Sequence, residues 1–360
     1  MKFNAILAGT IGAGLVAASP VDKRQGTNID ATVLQFALTL EHLENAFYVG
    51  ALKKFSEADF SKAGYDATYY EDLRRIAEDE QSHVALLTSA LSAAGVTPVE
   101  PCQYSFPYTD VKSFITLSSV LEGVGTSAYL GGAPLITSKD YLTVAGSILV
   151  TEALHTSYQR AAVPEVPFAS PYGTPLDPTS VFTLAGAFIT SCPATNAALP
   201  FVPQPALAYN ATESCPKTST RRSKRSILCR APKPGSPGYN NGGGYNGGKN
   251  ETGNGWNGGD HPTPEPMACE LVAGGNVVFT ANATIPAGAY VTFVSGLDVA
   301  SVQGTISGSN IAAQIPAIAL GQTYVLITSA AAAGGKIDPA TVVAGPAIIE
   351  GRFQFSPFNA

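Results

Sequence analysis

The sequence predicts a mainly helical protein: a four-helix bundle with a short fifth helix, followed by a disordered linker and a small C-terminal antiparallel β-sandwich-like segment. Apolar residues recur with a helical period from about residue 30 to residue 200. The stretch "GYNNGGGYNGGKNETGNGWNGG" then interrupts the pattern, and after Met267 the period changes to two. With 360 residues, of which 45% are hydrophobic, the chain is long enough for two domains.

Four long amphipathic segments predict the helices of the bundle. Each begins at a polar residue that can cap a helix N-terminus, near Asp30 for the first, and the second stops at Gly95. The predicted helices run over residues 30–55, 66–94, 110–130 and 138–162, and a shorter helix, "SVFTLAGAFI", follows from Ser180. Four helices with one apolar face each indicate a bundle that buries those faces together.

The first 24 residues predict export from the cell. "MKFNAILAGTIGAGLVAAS" combines a basic start, an apolar stretch and small residues before the expected cut, so residues 1–18 are assigned as a signal peptide. Residues 19–24 are predicted to be a propeptide that ends at the dibasic site Lys23-Arg24, which fits a kexin-type protease. The bundle domain is then residues 25–202. We expect a secreted protein, extracellular or in the cell wall, without a membrane span.

Glycosylation and disulfide formation both fit a secretory route. Sequons lie at Asn210, Asn250 and Asn282. The five cysteines allow two disulfides and one free thiol, and none has the CxxC spacing of a thiolate metal site. A bridge between Cys102 and Cys192 is favoured because both lie in loops beside helices.

Residues 203–266 are predicted to be a basic and Gly/Asn-rich linker. Seven of the 21 basic residues of the chain lie between Lys217 and Lys233. A basic tract can bind nucleic acid, but in a secreted protein "RRSKRS" is better explained as an exposed protease site. No nucleic-acid partner is therefore expected.

Residues 267–360 are predicted to be the β-rich segment, in which short period-two runs alternate with Pro and Gly. It shows no constellation of catalytic residues. Cleavage after Arg222 or Arg225 would separate it from the bundle, unless a disulfide from Cys215 to Cys229 or Cys269 joins the two pieces.

Two of the four histidines follow a glutamate by three residues, in "EQSH" at Glu80–His83 and in "EALH" at Glu152–His155. Residues i and i+3 share a face of a helix, and both pairs fall on apolar faces of predicted helices. A carboxylate on an apolar face is costly unless it is paired or bound to a metal ion. The two ExxH motifs are therefore candidate metal ligands.

The first and third predicted helices share a second pattern. "LEHLENAFY" and "LEGVGTSAY" both place a tyrosine seven residues after a glutamate, which gives the pairs Glu41–Tyr48 and Glu122–Tyr129. Seven residues are about two helical turns, so each pair lies on one face. Glu44 lies on a neighbouring face and is the alternative to Glu41 as the inward carboxylate.

The order of these motifs, Glu-x6-Tyr, ExxH, Glu-x6-Tyr, ExxH, resembles the ferritin-like superfamily of ferritins, bacterioferritins, rubrerythrins and manganese catalases. In that superfamily two helices each supply one glutamate and two supply ExxH to a dinuclear metal centre. The resemblance covers about residues 28–200 and is closest to secreted fungal ferritin-like proteins described as stress-induced. It implies six metal ligands, namely Glu41, Glu80, His83, Glu122, Glu152 and His155.

The resemblance also implies roles for these ligands. Glu80 and Glu152 match carboxylates that often bridge both metals, and His83 and His155 match the terminal imidazoles. Four carboxylates and two imidazoles without a thiolate suit Fe or Mn, two ions per chain. Asp79, just before Glu80, either orients a ligand histidine or is a solvated charge.

Two features that the chain lacks narrow the choice within the superfamily. The sequence has no paired CxxC motifs, as a rubrerythrin-type electron-transfer module would need. Met1 and Met267 both lie outside the bundle, so haem ligation at a dimer seam as in bacterioferritin is not expected. His42 is expected at the surface and His261 in the linker.

The expected chemistry is redox chemistry with dioxygen or peroxide as the small-molecule substrate. The resemblance implies ferroxidase, oxidase or peroxide-consuming, catalase-like activity in stress or iron handling. Tyr48 and Tyr129 either transfer electrons beside the site or are core residues that donate a hydrogen bond. The alternative is a cell-surface or cell-wall protein with a scaffold bundle and a binding β segment. Enzymatic activity and dimerisation are both left open by the sequence.

Overall fold

A computed structural model describes residues 29–214 and 271–352, which fold into two compact units. The bundle unit contains the described residues up to Pro167 and the segment Gly173–Pro203. The β unit contains Phe168–Tyr172 and the described residues from Gln204 onward. Several predictions fall outside these ranges: the signal peptide, the propeptide, the cleavage sites, Asn250, His261 and the three cysteines at 215, 229 and 269.

Four long helices form the bundle, as predicted. They are α1 (Ile29–Lys54), α3 (Ala67–Ala93), α4 (Val111–Gly132) and α5 (Lys139–Ala162). The short helices are α2 (Glu57–Ala63) and α6 (Pro178–Gly186). Helix α2 was not predicted, because its seven residues are too few to show a clear period. Helix α6 confirms the fifth helix, but its predicted last residue, Ile189, begins a strand.

Polar side chains define where the bundle helices begin. Asp66, Asp110 and Ser138 each accept a hydrogen bond from a backbone N–H three residues on, as predicted for N-caps. Asp30 differs, because it lies inside α1 and its carboxylate accepts two backbone N–H bonds and one hydroxyl bond from Thr137 and Ser138. The expected cap of α1 therefore holds the start of α5 against α1 instead.

Apolar side chains pack α1 against α3 and α4 against α5. Leu38, Leu87 and Leu91 are central to the core near one end of these helices. Towards the other end an aromatic group packs, mostly edge to face, around Phe47 and Phe114. Burial of each such side chain contributes roughly 1.5–3 kcal/mol, so the two apolar regions hold the bundle rigidly on either side of its polar centre.

The predicted bridge between Cys102 and Cys192 is confirmed. Beside it, β1 (Gln103–Tyr104) pairs antiparallel with β2 (Ile189–Ser191). The bridge joins the segment after α3 to the segment after α6, which are 90 residues apart. Such a closure stabilises a fold chiefly by restricting the unfolded chain.

The β unit consists of two four-stranded antiparallel sheets, as the period-two pattern predicts. Their orders are β10-β9-β5-β6 and β3-β4-β8-β7. Side chains from both sheets form a common core that includes Phe279, Ile311, Phe293 and Val325. The strands are β3 (Leu207–Tyr209), β4 (Asn276–Ala281), β5 (Tyr290–Ser295), β6 (Asp298–Gln303), β7 (Thr305–Ser307), β8 (Asn310–Gln314), β9 (Gly321–Thr328) and β10 (Val342–Gly351).

Strand β3 lies in the region that the sequence predicts to be linker. Leu207–Tyr209 pairs with β4, and the four-residue helix α7 (Ala211–Ser214) follows it. The side-chain amide of Asn210, a predicted sequon, donates to Thr280 Oγ1, while Asn282 is exposed. Three residues are too short a run to reveal a strand from the sequence. Among the helices described, none is long and apolar enough to cross a membrane.

Candidate metal centre

The four long helices bring together all six residues that the sequence predicts as metal ligands. Each is at most 8% exposed. Two groups of four have ligand atoms within 4.8 Å of one another. One group is Glu41, Glu80, His83 and Glu152, and the other is Glu80, Glu122, Glu152 and His155. Glu80 and Glu152 belong to both groups, which is the position expected of bridging carboxylates.

Both histidines direct Nδ1 towards the carboxylates. His83 Nδ1 lies 3.2 Å from Glu41 Oε2 and 3.4 Å from an oxygen of each shared glutamate. His155 Nδ1 lies 3.0 Å from Glu80 Oε1 and 3.5 Å from Glu122 Oε2. The two imidazole centroids are 6.4 Å apart. The nitrogens and oxygens therefore surround two adjacent points.

Many of these atoms are buried without a hydrogen bond. In the described residues, both oxygens of Glu80 and of Glu152, one oxygen of Glu122 and Nδ1 of His155 have no hydrogen-bond partner. The contact of 3.0 Å between His155 and Glu80 lacks the directions of a hydrogen bond. Buried polar atoms without partners are costly. Carboxylate oxygens and imidazole nitrogens that face a common point fit divalent cations.

The two tyrosines of the repeat exchange partners across the bundle. Tyr48 on α1 donates to Glu122 on α4 and contacts Ser118 Oγ at 2.8 Å. Tyr129 on α4 donates to Glu41 on α1. Burial, together with the adjacent glutamate, raises the pKa of each phenol well above its usual range, so both are neutral donors. Each tyrosine thus orients the glutamate of the other half.

Glu41 rather than Glu44 belongs to the group around His83. Glu44 is nevertheless buried, with 4% of its surface exposed. Its Oε1 lies 2.7 Å from the position that a Cβ on Gly125 would occupy, and Glu152 Oε2 lies 2.5 Å from the same position. The two glutamates that the sequence offers as alternatives both face the interior.

Asp79 contacts a histidine of the site, which decides between its two interpretations. Its Oδ2 lies 3.3 Å from Nε2 of His155, the nitrogen that faces away from the carboxylates. Such an acceptor fixes the ring and leaves Nδ1 free as a ligand. His42 is a correction: it is half-buried and its Nε2 lies 3.0 Å from the carbonyl of Val99.

The protonation of the metal-free site follows from its crowding. Burial lowers the pKa of His83, but its carboxylate neighbours outweigh burial and raise the pKa to about 12. For His155 the same balance raises the pKa to about 11. Burial raises the pKa of Glu80 to about 7, and burial with repulsion from Glu80 raises that of Glu152 well above its usual range. Metal ions would displace protons from this site.

Two buried polar residues near the ligands in sequence were given no role by sequence reasoning. Ser118 precedes Glu122 by one turn and contacts Tyr48. Gln159 follows His155 by one turn, is fully buried and accepts a hydrogen bond of 2.6 Å from Tyr69. In the sequence, each is marked only by its spacing of four residues from a ligand. Many polar residues without a role have the same spacing, so it does not identify them.

This chain is similar to a known protein family and to known proteins. Residues 29–165 match the family model of the ferritin-like domain. The protein rds1 of Schizosaccharomyces pombe is 29% identical over 181 residues, which are 50% of this chain and 44% of that protein. A crystal structure of a conserved hypothetical protein, rv2844, from Mycobacterium tuberculosis is 18% identical, covering 38% of this chain and 99% of that one with a TM-score of 0.34.

The matched region contains all four long helices and all six residues of the site. It ends shortly after α5 and does not include the β unit. Residues 29–165 of this chain form a ferritin-like domain.

Proposed function

We propose that this protein binds two Fe or Mn ions between α1, α3, α4 and α5, and that it acts as a secreted oxidase, ferroxidase or peroxide-consuming protein. The observation that carries the metal site is the set of buried ligand atoms without hydrogen bonds in Glu80, Glu122, Glu152 and His155. Four carboxylates balance the charge of two divalent cations, so metal binding removes the repulsion that the metal-free site contains.

The chain itself would supply orientation and exclusion of water. A bound pair of ions would supply one- or two-electron chemistry with dioxygen or peroxide. Tyr48 and Tyr129 hold the two unshared glutamates, and Asp79 holds His155. Because all six residues are buried, the ions would lie away from bulk solvent.

Metal analysis of the full chain after anaerobic loading tests the proposal. We expect two Fe or Mn ions per chain, and none in the variant Glu80→Ala with His83→Ala. Glu71→Ala with Arg74→Ala removes an exposed ion pair from the same helix and is the matched control. Less than about one ion per chain in the unmodified protein, or full loading of the double variant, would overturn the proposal.

Secretion is proposed from separate observations. A disulfide between Cys102 and Cys192 needs an oxidising compartment, and the sequon at Asn282 is exposed. Mass spectrometry of culture medium would find a chain beginning at Gln25 after kexin-type cleavage, with a glycan at Asn282. Retention of the full-length chain inside the cell would contradict it.

A further inference from the structure

Glu44 is a buried carboxylate that the six-ligand site does not use. It follows Glu41 by one turn on α1 and is 4% exposed. Its Oε2 is buried without a hydrogen-bond partner, and Glu44 forms no ion pair with a described basic residue. An unpaired buried carboxylate costs several kcal/mol unless it is neutralised. The fold therefore maintains a costly acid beside the candidate centre.

The internal repeat shows that only one half of the bundle has an acid at this position. Aligned on their glutamates, "LEHLENAFY" and "LEGVGTSAY" place Glu44 opposite Gly125. The ligand glutamates Glu41 and Glu122 and the two tyrosines match in the same alignment. One half of the bundle thus carries an additional carboxylate where the other half has no side chain.

These two positions meet in space. A Cβ on Gly125 would lie 2.7 Å from Glu44 Oε1 and 2.5 Å from Glu152 Oε2, which is closer than real Cβ atoms approach oxygen. The missing side chain on α4 makes room for Glu44 from α1. Since Glu152 belongs to both groups of ligand atoms, Glu44 reaches the side of the site that both metal positions share.

We propose that Glu44 is a seventh ligand of the dinuclear centre, a fifth carboxylate that binds beside Glu152 and favours the trivalent state of one metal ion. This inference rests on the proposed function. Four carboxylates balance two divalent ions, whereas five balance one divalent and one trivalent ion. The additional negative charge therefore lowers the reduction potential of the couple between these two charge states.

The variant Glu44→Gln tests this role, because it keeps the shape of the side chain and removes the charge. We expect the full chain to bind Mn(II) at least about 10-fold more weakly and the reduction potential of the iron-loaded centre to rise. In the metal-free protein the amide occupies the same buried volume as the carboxyl group and carries no charge, so the melting temperature should not fall. Weaker metal binding without a loss of metal-free stability distinguishes a ligand from a packing residue.

Two further proteins make the test specific. Glu78→Gln removes an exposed charge of α3, paired with Arg75 at 2.6 Å, and should leave both affinity and potential unchanged. Glu44→Asp keeps the charge and shortens the side chain by one methylene group. We expect this variant to hold the potential closer to that of the unmodified protein than Glu44→Gln does, which packing alone would not do.

The position of Glu44 can also be observed directly. In a crystal structure of the Mn-loaded chain, one Glu44 oxygen should lie about 2–2.5 Å from a metal ion. If the unmodified chain binds two ions while Glu44→Gln has the same affinity and potential, Glu44 is not a ligand and the six-residue site stands. If the unmodified chain binds no metal, the proposed function and this inference both fail.

Discussion

The two halves of the bundle, α1 with α3 and α4 with α5, present the same residues to a common centre. Glu41 corresponds to Glu122, and the ExxH motif of α3 corresponds to that of α5. Yet Tyr48 donates to Glu122, and Tyr129 donates to Glu41. Neither half completes its own set of contacts. The repeat thus forms one site only when the halves associate.

Two of the differences between the halves are acids beside the site. Glu44 corresponds to Gly125, and Asp79, which contacts His155, corresponds to Thr151, whose hydroxyl donates to the carbonyl of Ser147 at 3.4 Å. Both additional acids belong to α1 and α3. Substitutions of ligands that both halves share should therefore change metal binding equally in the two halves. Substitutions at the two positions that differ should change it unequally.

Replacing a shared glutamate should have the largest effect. Glu80→Ala and Glu152→Ala each remove a residue that belongs to both groups of ligand atoms. We expect either variant to lose both metal ions, measured as metal per chain after anaerobic loading. Glu71→Ala, exposed on α3, is the control. One ion retained in either variant would show that the bridging role is not shared.

Replacing an unshared glutamate should remove one ion. Glu41 belongs only to the group with His83, and Glu122 only to the group with His155. Glu41→Gln and Glu122→Gln should each bind one ion instead of two, which titration with Mn(II) measures. If Glu44 takes the place of Glu41, the first variant will keep more metal than the second and the halves will differ.

Metal affinity should depend strongly on pH. The folded pKa values of about 12 for His83 and about 11 for His155 lie above their usual value, so both rings are protonated in the metal-free site at neutral pH. Each ion must displace at least one proton, and affinity for the pair should fall by at least roughly 100-fold for each unit that the pH drops. Calorimetry in buffers of different ionisation enthalpy counts the protons.

The metal-free protein should show the opposite pH dependence. Groups with raised pKa values bind more protons in the folded than in the unfolded chain, so their stabilisation is present at low pH and is lost as pH rises. The window begins near the unfolded value of a glutamate, passes about 7 for Glu80, and extends towards 11–12 for the histidines. We expect the free energy of unfolding, measured with urea, to fall from pH 5 to pH 9. An increase over this range would contradict the prediction.

Asp79→Ala should affect one metal position more than the other. Removing an acceptor behind a ligand histidine typically lowers metal affinity about 10- to 100-fold. We expect that loss at the ion bound by His155 and little change at the other ion. Thr151→Val, at the equivalent position of α5, should leave both affinities within about two-fold. Equal losses of metal affinity in the two variants would show that Asp79 supports its histidine no more than Thr151 does.

Replacing the tyrosines should have the smallest effects, and the two losses of unfolding free energy should be similar. Tyr48→Phe and Tyr129→Phe each remove a hydrogen bond to a buried carboxylate, which typically costs about 1.5–3 kcal/mol of unfolding free energy. Urea denaturation of the metal-free variants measures both values. A markedly larger loss of unfolding free energy in Tyr48→Phe would indicate that the contact of Tyr48 with Ser118 also stabilises the fold.

Local spacing was sufficient for much of the fold and for the six residues of the centre. Pairs such as Glu80 and His83 lie three residues apart on one helix, so their common direction follows from helical geometry. Period-two runs likewise predicted the β-rich segment that contains β4 to β10. Strand β3 escaped prediction because its three residues are stabilised by pairing with β4, far away in the chain. Short elements depend on such partners rather than on their own pattern.

By itself the sequence determined the four long helices and the repeated ligand pattern, and it favoured the disulfide between Cys102 and Cys192. Only the tertiary structure decided the relation between Glu41 and Glu44, because that depends on how closely α4 approaches α1 at Gly125. It also decided that Asp79 reaches His155 and that each tyrosine serves the opposite half. Contacts within one helix follow from residue spacing, whereas contacts between helices exist only after packing has fixed their distance and rotation.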